Sequence, residues 1–499
     1  MIGNNHIIQQ SVESVHCKKT NLFMVMLAAA LADESYRVQQ TERLLYTLTQ
    51  WQKPHNDVTP LTSLRLFRQV QKVETSAALQ EMLRQGLDRL AQSHPTQAQV
   101  LQSRLLTQEK IETALRRLRL SESPFHRLRN EGVPLLVDTL LQLESEAQTA
   151  YRNQMTQRLE TATYCTLIGQ HAEVATLAAL LQTSTAPWLV AITGIGGIGK
   201  TTLADALARA QIASPHWQAI GWVTARQTFL NAGGAITSQA NPLLTTHRLI
   251  EALATQLLGE TSSSNPRPIT ETLAHLERLL KAAPYLLVID NLESVVDLDH
   301  LLPILRRLAN PSKFLLTTRV SLFDETDLYH WDAPELSAAA ALTLVRQEAA
   351  LRNILAVSRA TDDDLLPIYE TVGGNPLALK LVTSQLRIHP LAVVLADLTG
   401  ARTQSVAALY TYIYRRAWDL LDEAAQDLFL AMPLVSEQGG RFDLLQTMIE
   451  LPPAELRSAL ETLVAMNLVE VRGDLHERRY TIHSLTRTFL HEQVLQWQA

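Results

Sequence analysis

From residue 33 to about 158, leucines recur at helical spacing among Gln, Arg and Glu with few β-branched runs, so helices are predicted throughout. Pro54, Pro60 and Pro95 punctuate this stretch. From Leu167 the pattern changes. Short continuous apolar runs now alternate with helical periods, the arrangement of a parallel sheet whose strands are covered on both faces. Trp188–Ile192 is the first such run and Ala219–Val223 the second, with Tyr285–Ile289 and Phe314–Thr317 following. Arg248–Leu258 and Ile269–Lys281 supply intervening helices, whereas Asn231–Asn241 and Thr261–Pro268 read as surface loops. After Arg319 the strands are expected to stop. Leu336–Ala349, Asp364–Val372 and Pro376–Leu386 predict a small helical block. From about Leu409 further helices lead to a closing hairpin, with Leu468–Val471 and Arg479–Ile482 as arms around Gly473 and Asp474. Three helices followed by such a hairpin describe a winged helix.

Composition changes this picture little. At 499 residues the chain is too long for one core, and about three to four domains are expected. A net charge of −6 gives no global sign of nucleic-acid or membrane affinity. Cys17 and Cys165 stand far apart with no metal-ligand spacing, so neither zinc nor a disulfide framework is indicated. Lys18-Lys19 before the apolar run Leu22–Ala32 has the outline of a secretory signal. Seventeen residues precede those lysines, and the run is too short to span a bilayer, so it reads as a buried helix in a cytoplasmic protein, with Met24 or Met26 as an alternative natural start.

The chemistry concentrates in Thr193–Thr202. Its sequence fits G-x-x-x-x-G-K-[ST], entered by the strand Trp188–Ile192 and left by the helical stretch Leu203–Ala210. Gly194, Gly196, Gly197 and Gly199, with Ile198 between, let the backbone curl into a nest of inward N–H groups at a helix N-terminus. Lys200 is placed to reach β- and γ-phosphates, and the hydroxyl of Thr201, followed by Thr202, to ligate Mg²⁺. About ninety residues on, Tyr285–Ile289 ends in Asp290, the carboxylate that a magnesium–triphosphate site needs at the carboxyl end of a strand. Asn291 follows, where hydrolysing sites carry a second acid. An amide orients water but cannot accept its proton, so slow hydrolysis is expected, with Glu293 as a substitute base; a turn-capping Asn291 is the plain alternative. Lys313–Thr318 then delivers Arg319, a guanidinium able to pair with γ-phosphate oxygens. These residues imply binding of ATP or ADP with Mg²⁺. A motor or helicase is disfavoured, because no further motor motif follows Arg319.

At this point the chain resembles the NB-ARC branch of the STAND signalling ATPases, over about residues 165 to 495. Leu167-Ile168-Gly169-Gln170 resembles the segment whose backbone holds adenine, through Ile168 and Gly169, with Gln170 where the family usually has arginine. Gly194–Thr202, Leu286–Asn291 and Leu315–Arg319 resemble its phosphate loop, acidic strand and sensor strand. Gly373–Leu379 resembles its helical-domain motif, in which the residue matching Pro376 packs on adenine. Tyr480–Leu485 resembles the winged-helix motif whose histidine, here His483, holds the β-phosphate of ADP, with Ser484 where aspartate is usual. The resemblance implies an ADP-held closed state that opens and self-associates on exchange for ATP, acting on an effector or sensor in trans. The expected fold class is multidomain α plus α/β. It comprises an all-helical N-terminal domain (1–158), a P-loop parallel α/β nucleotide-binding domain (159–330), a small helical domain (331–404) and a C-terminal winged helix (405–499).

Between residues 61 and 130 the chain carries twelve Lys and Arg against six Asp and Glu. Within that stretch Glu109–Leu118 reads as a helix, Arg119–Glu122 as a turn, and Ser123-Pro124 as the start of a second helix, Phe125–Asn130, ended by Gly132 and Pro134 before Leu135–Ser145. Residues 108–131 therefore outline a helix-turn-helix presenting His126, Arg127 and Arg129. Three readings stay open: a helical bundle with solvated arginines, a DNA-binding module, and a protein-signalling surface. The corresponding functions are a nucleotide-controlled signalling or defence switch and an ATP-responsive DNA-binding regulator.

Overall fold

The computed structural model describes residues 38–51, 57–70, 74–162, 164–225, 245–259, 268–396, 414, 418–419, 421–436, 439–466, 468–473, 477–482, 486 and 490, and the backbone alone of 228–230, 236–238 and 397–400. The amino-terminal apolar run, with Cys17, Met24 and Met26, and His483 with Ser484 lie outside the described residues. Two units are separated near residue 154.

The first unit is helical, as its periodicity predicts. Helices α1 (38–49), α2 (Thr59–Thr62), α3 (Arg65–Val70), α4 (Thr75–Ala91), α5 (Pro95–Leu105) and α6 (Ile111–Leu118) are followed by α7 (Glu122–Arg158). Buried Glu144 of α7 accepts the backbone N–H groups of Arg65 and Leu66, at 3.0 and 2.8 Å, so a carboxylate caps the leading donors at the buried start of α3. Arg65 lies 3.7 Å over the Tyr151 ring. One expectation is corrected here. Helix α7 runs through Gly132 and Pro134 without stopping, so there is no short second helix ending at Asn130. Pro134 is exposed, whereas Val133, Leu136, Val137 and Leu140 form a buried stripe at helical spacing that holds the helix together across it. Gly132 is a packing residue: a Cβ there would lie 3.1 Å from Leu101 of α5.

In the second unit, β1 (Leu189–Thr193), β2 (Ile220–Thr224), β5 (Leu286–Asp290), β6 (Lys313–Thr317) and β7 (Leu328–Asp332) form a five-stranded sheet in the order β2-β5-β6-β1-β7. Every pairing is parallel. The short β3 (Thr228–Leu230) and β4 (Ile236–Ser238) pair antiparallel, with β4 inside the stretch Asn231–Asn241 expected to be a loop. Helices α8 (His171–Leu181), α9 (Lys200–Ile212), α10 (Thr246–Leu258), α11 (Ile269–Ala282) and α12 (Leu298–Leu308) accompany the sheet. β1 to β2 and β5 to β6 match the four predicted runs within a residue or two, because runs buried on both faces leave an unbroken apolar signature. The expectation that strands stop after Arg319 is corrected by β7. Its sequence, Leu-Tyr-His-Trp-Asp, carries no apolar run because it is an edge strand with one paired side, on β1.

Beyond the sheet, α13 (Ala338–Leu351), α14 (Leu355–Ser358), α15 (Asp362–Val372), α16 (Pro376–Gln385) and α17 (Leu391–Gly400) form the helical block. Then α18 (Glu423–Ala431), α19 (Phe442–Ile449) and α20 (Pro453–Ala465) precede a hairpin of β8 (Glu470–Gly473) and β9 (Arg478–Thr481). One buried cluster runs through both, from Ala341, Val345 and Leu379 to Leu428, Leu456 and Leu463. Among the described residues no helix is long and apolar enough to cross a membrane.

Candidate functional site

The site forms at the carboxyl edge of the sheet, where β1 hands the chain to the Gly-rich loop and α9. Gly194, Gly197 and Gly199 take φ values of 142°, 81° and 104°, a region that side chains with a Cβ rarely enter. This curls the loop over the first turn of α9. Lys200, buried at the start of that helix, donates from Nζ to the carbonyls of Gly194 (2.7 Å) and Ile195 (2.9 Å). Burial pushes its ammonium down to about 7, with Glu293 pulling it back up and Arg319 pushing it further down. An anion on the loop would favour the charged form.

Asp290 ends β5 and is completely buried. Its Oδ1 accepts the hydroxyls of Thr201 (2.6 Å) and Thr317 (2.7 Å), and its Oδ2 accepts that of Thr224 (3.1 Å). Strand register explains the convergence. Thr224 stands opposite Asp290 on β2, and Ile289 opposite Leu316 on β6, so Thr317 falls level with the carboxylate. Thr201 and Asp290 together present the hard oxygen donors that Mg²⁺ prefers. Among the described residues no cluster of three or more His, Cys, Asp or Glu could hold a metal, so a cation here would complete its shell with water and phosphate oxygens.

Asn291 has φ 61°, lines the cleft, and donates its backbone N–H to Thr317 Oγ1 at 2.9 Å. It is the N-cap residue of the following turn, accepting the Ser294 N–H on its carbonyl at 3.0 Å, with no hydrogen bond from its side chain to that turn. Arg319 also lines the cleft, and it pairs with Glu293 rather than standing alone.

The cleft itself has a volume of about 520 Å³. One side is the loop with Gly196, Gly197, Gly199, Lys200, Thr201 and Thr202; the other is the helical block, through Leu344 and Glu348 of α13 and Pro376 and Leu377 of α16. Asn375 joins the two sides. Its amide donates to the Gly196 carbonyl at 3.1 Å, its Oδ1 accepts from Leu377 and Ala378 as the N-cap of α16, and the Leu377 N–H reaches the Gly197 carbonyl at 3.3 Å. A third wall, residues 160–162 and 164–166, is pinned on α9: Tyr164 donates to Asp205 at 2.8 Å, and Arg209 bridges Asp205 and the Glu160 carbonyl. Burial pushes the Tyr164 phenol up.

Gly194, Gly196, Ile198, Lys200, Thr201, Asp290, Asn291, Arg319 and Pro376 thus gather at one place. Ile168 and Gly169 do not line the cleft. They sit against the helical block, where a Cβ on Gly169 would lie 2.6 Å from Ala340. Buried Gln170 follows, with an Nε2 that has no hydrogen-bond partner in the structure and lies 3.7 Å from where a Cβ on Gly199 would be. An orphaned donor, a buried lysine and a glycine nest are what an anionic phosphate chain requires. Thr224, Thr317, Asn375 and Tyr164 were assigned no role from sequence. Alternate-strand register would have found the first two; the others depend on packing between elements far apart in the chain.

Residues 170–327 match the NB-ARC domain. The regulatory protein AfsR of Streptomyces coelicolor is 25% identical over 312 residues, which is 60% of this chain and 28% of that protein. The disease resistance protein RPV1 of Vitis rotundifolia is 24% identical over 307 residues, 60% of this chain and 20% of that protein. Among solved structures, a STAND protein with a tetratricopeptide repeat sensor from Pyrococcus horikoshii aligns over 66% of this chain and 43% of its own, at 18% identity and a TM-score of 0.28. The chain therefore spans 20% to 32% of the length of these curated relatives and of AfsR from Streptomyces griseus. The loop, Asp290, Asn291 and Arg319 all fall inside the matched segment, and the chain contains an NB-ARC domain.

Proposed function

We propose that this protein is an ATP/ADP-dependent molecular switch in signalling or defence, held closed with ADP and opening to self-associate on exchange for ATP. The observation that carries this reading is the shared cleft: phosphate loop and helical block line one cavity and are already hydrogen-bonded through Asn375. A ligand filling it touches both, so its affinity depends on their arrangement. Moving such an equilibrium from 1% to 99% open takes about 5.5 kcal/mol of differential affinity, within reach of a few charge-assisted hydrogen bonds.

In this reading the loop N–H groups and Lys200 hold the phosphates, and Thr201 and Asp290 hold Mg²⁺, which neutralises phosphate charge when bound. Arg319 reads the third phosphate and Pro376 packs on the base. Helices α18 to α20 with the β8–β9 hairpin serve as the winged helix that supplies His483 to the β-phosphate. Asn291 orients water without accepting its proton, which makes hydrolysis slow. The names of the relatives, regulatory protein and disease resistance protein, agree with a regulatory or defensive setting. An effector or sensor partner acts in trans.

The test is direct. Purified protein should retain ADP, and Lys200→Ala should weaken both ADP and ATP by about a hundredfold, the order expected for losing a buried charged phosphate ligand. Full affinity in that variant would overturn the reading, as would an unchanged particle mass with ADP and with ATP. An ATP-responsive DNA regulator is the second reading, resting on the basic excess at 61–130. The described residues weaken it: Arg84, Arg89, Arg117 and Arg127 are paired with acids, and residues 122–131 are the first part of a 37-residue helix. Salt-dependent DNA binding lost on substituting Arg127 and Arg129 would restore it.

A further inference from the structure

Glu293 grips Arg319 twice. Its Oε1 lies 3.2 Å from the guanidinium Nε, and its Oε2 accepts the Arg319 backbone N–H at 3.2 Å. The two side chains are only 5% and 21% exposed. Local structure explains how they meet. Asn291 takes the left-handed conformation that asparagine tolerates, and its N–H is held by Thr317 of β6. The one-turn helix Leu292–Ser294 that follows sets Glu293 beside the residue that leaves β6. A carboxylate so withdrawn from water needs a partner, and this one has the guanidinium that lines the cleft. Lys200 feels both groups, with opposite sign.

Among the charged groups near the loop, Lys200 and Arg319 stand against Glu293 and Asp290. ADP and ATP differ by one phosphate, about one further negative charge at pH 7. We propose that Glu293 is a positioning residue that acts as the resting counter-anion of Arg319 and biases the pocket toward ADP. Arg319 keeps Glu293 when ADP is bound, and must give up part or all of that contact to reach the third phosphate of ATP. This rests on the nucleotide-switch reading and adds to it a named internal competitor, set by one carboxylate. Glu293 is thereby a poor candidate for the catalytic base, since its oxygens are engaged by Arg319.

The experiment compares dissociation constants for Mg-ATP and Mg-ADP, by calorimetry on the full chain. Glu293→Gln keeps an oxygen for the Arg319 N–H and removes the charge. ATP should bind about three- to tenfold more tightly, with ADP unchanged within about twofold, the scale of one partly screened charge-assisted contact. Glu293→Asp keeps the charge and should leave the ATP/ADP ratio near that of the wild type. In an Arg319→Gln background, Glu293→Gln should no longer alter the ratio. Crystal structures of the wild-type chain, which do not depend on any variant folding, should show the pair intact with ADP and parted beyond about 4 Å with a non-hydrolysable ATP analogue. The proposal fails if Glu293→Gln shifts both nucleotides equally or neither, if it loses hydrolysis at an unchanged ratio, or if the pair survives with the analogue. Failure of the wild type to bind either nucleotide would instead bring down the switch reading beneath it.

Discussion

Asp290 owes its setting to hydroxyl groups. A fully buried carboxylate is costly unless its lone pairs are satisfied, and three threonines from three elements satisfy it. Thr317 does double duty, donating to Asp290 and accepting the Asn291 N–H. Replacing it with valine keeps the shape and removes both hydrogen bonds, leaving a buried carboxylate oxygen and a backbone donor short of a partner. Thr317→Val should therefore cost about 1–3 kcal/mol, read as a lower urea midpoint with an unchanged slope. A loss below about 0.5 kcal/mol would mean that water replaces the hydroxyl. Thr224 and Thr201 have one such contact each to Asp290 among those described, and Thr317 is the sharper probe.

Helix α7 gives the contrast at the scale of elements. Proline inside a helix removes one donor and costs about 3 kcal/mol, which is why Pro134 reads as a stop in sequence. The buried stripe from Val133 to Leu140 outweighs that cost because it buries several large apolar side chains in the core of the first unit. Two substitutions two residues apart should then act with opposite sign. Pro134→Ala, at an exposed position, restores an N–H to pair with the Asn130 carbonyl and should raise stability by about 1–3 kcal/mol. Gly132→Leu drives a side chain into Leu101 and Gln97 and should lower it by about 1–3 kcal/mol. Thermal unfolding of the full chain separates the two. A fall in melting temperature for Pro134→Ala would show that the proline is needed for the helix's course.

At the scale of the whole second unit, the phosphate loop and the helical block are coupled before any nucleotide is considered. The Asn375 amide holds Gly196, and the Leu377 N–H holds Gly197, so α16 aims its N-terminus at the loop. Asn375→Asp keeps an acceptor to cap α16 and loses the donor to Gly196. The helix should stay capped while the two bodies loosen. The expected reading is amide hydrogen exchange about tenfold faster across Gly194–Gly199, equivalent to the loss of one buried hydrogen bond, with little change inside α16. Equal protection in variant and wild type would show that the coupling is carried by packing alone.

Strand, loop, helix start and acidic strand were legible in the sequence because each is local. A glycine nest, its lysine and the apolar run before it lie within fifteen consecutive residues, and their chemistry depends only on backbone geometry that those residues impose on themselves. The helical block and the closing hairpin were legible for the same reason, through spacing and turn residues. The strand order, the edge strand β7 and the unbroken α7 were decided elsewhere. So were the threonines around Asp290, the grip of Glu293 on Arg319 and the tie from Asn375 to the loop, which spans 179 positions of sequence. These are set by register and by the packing of distant apolar faces, and side chains separated by tens of residues meet only once the sheet has closed and fixed which ends lie level.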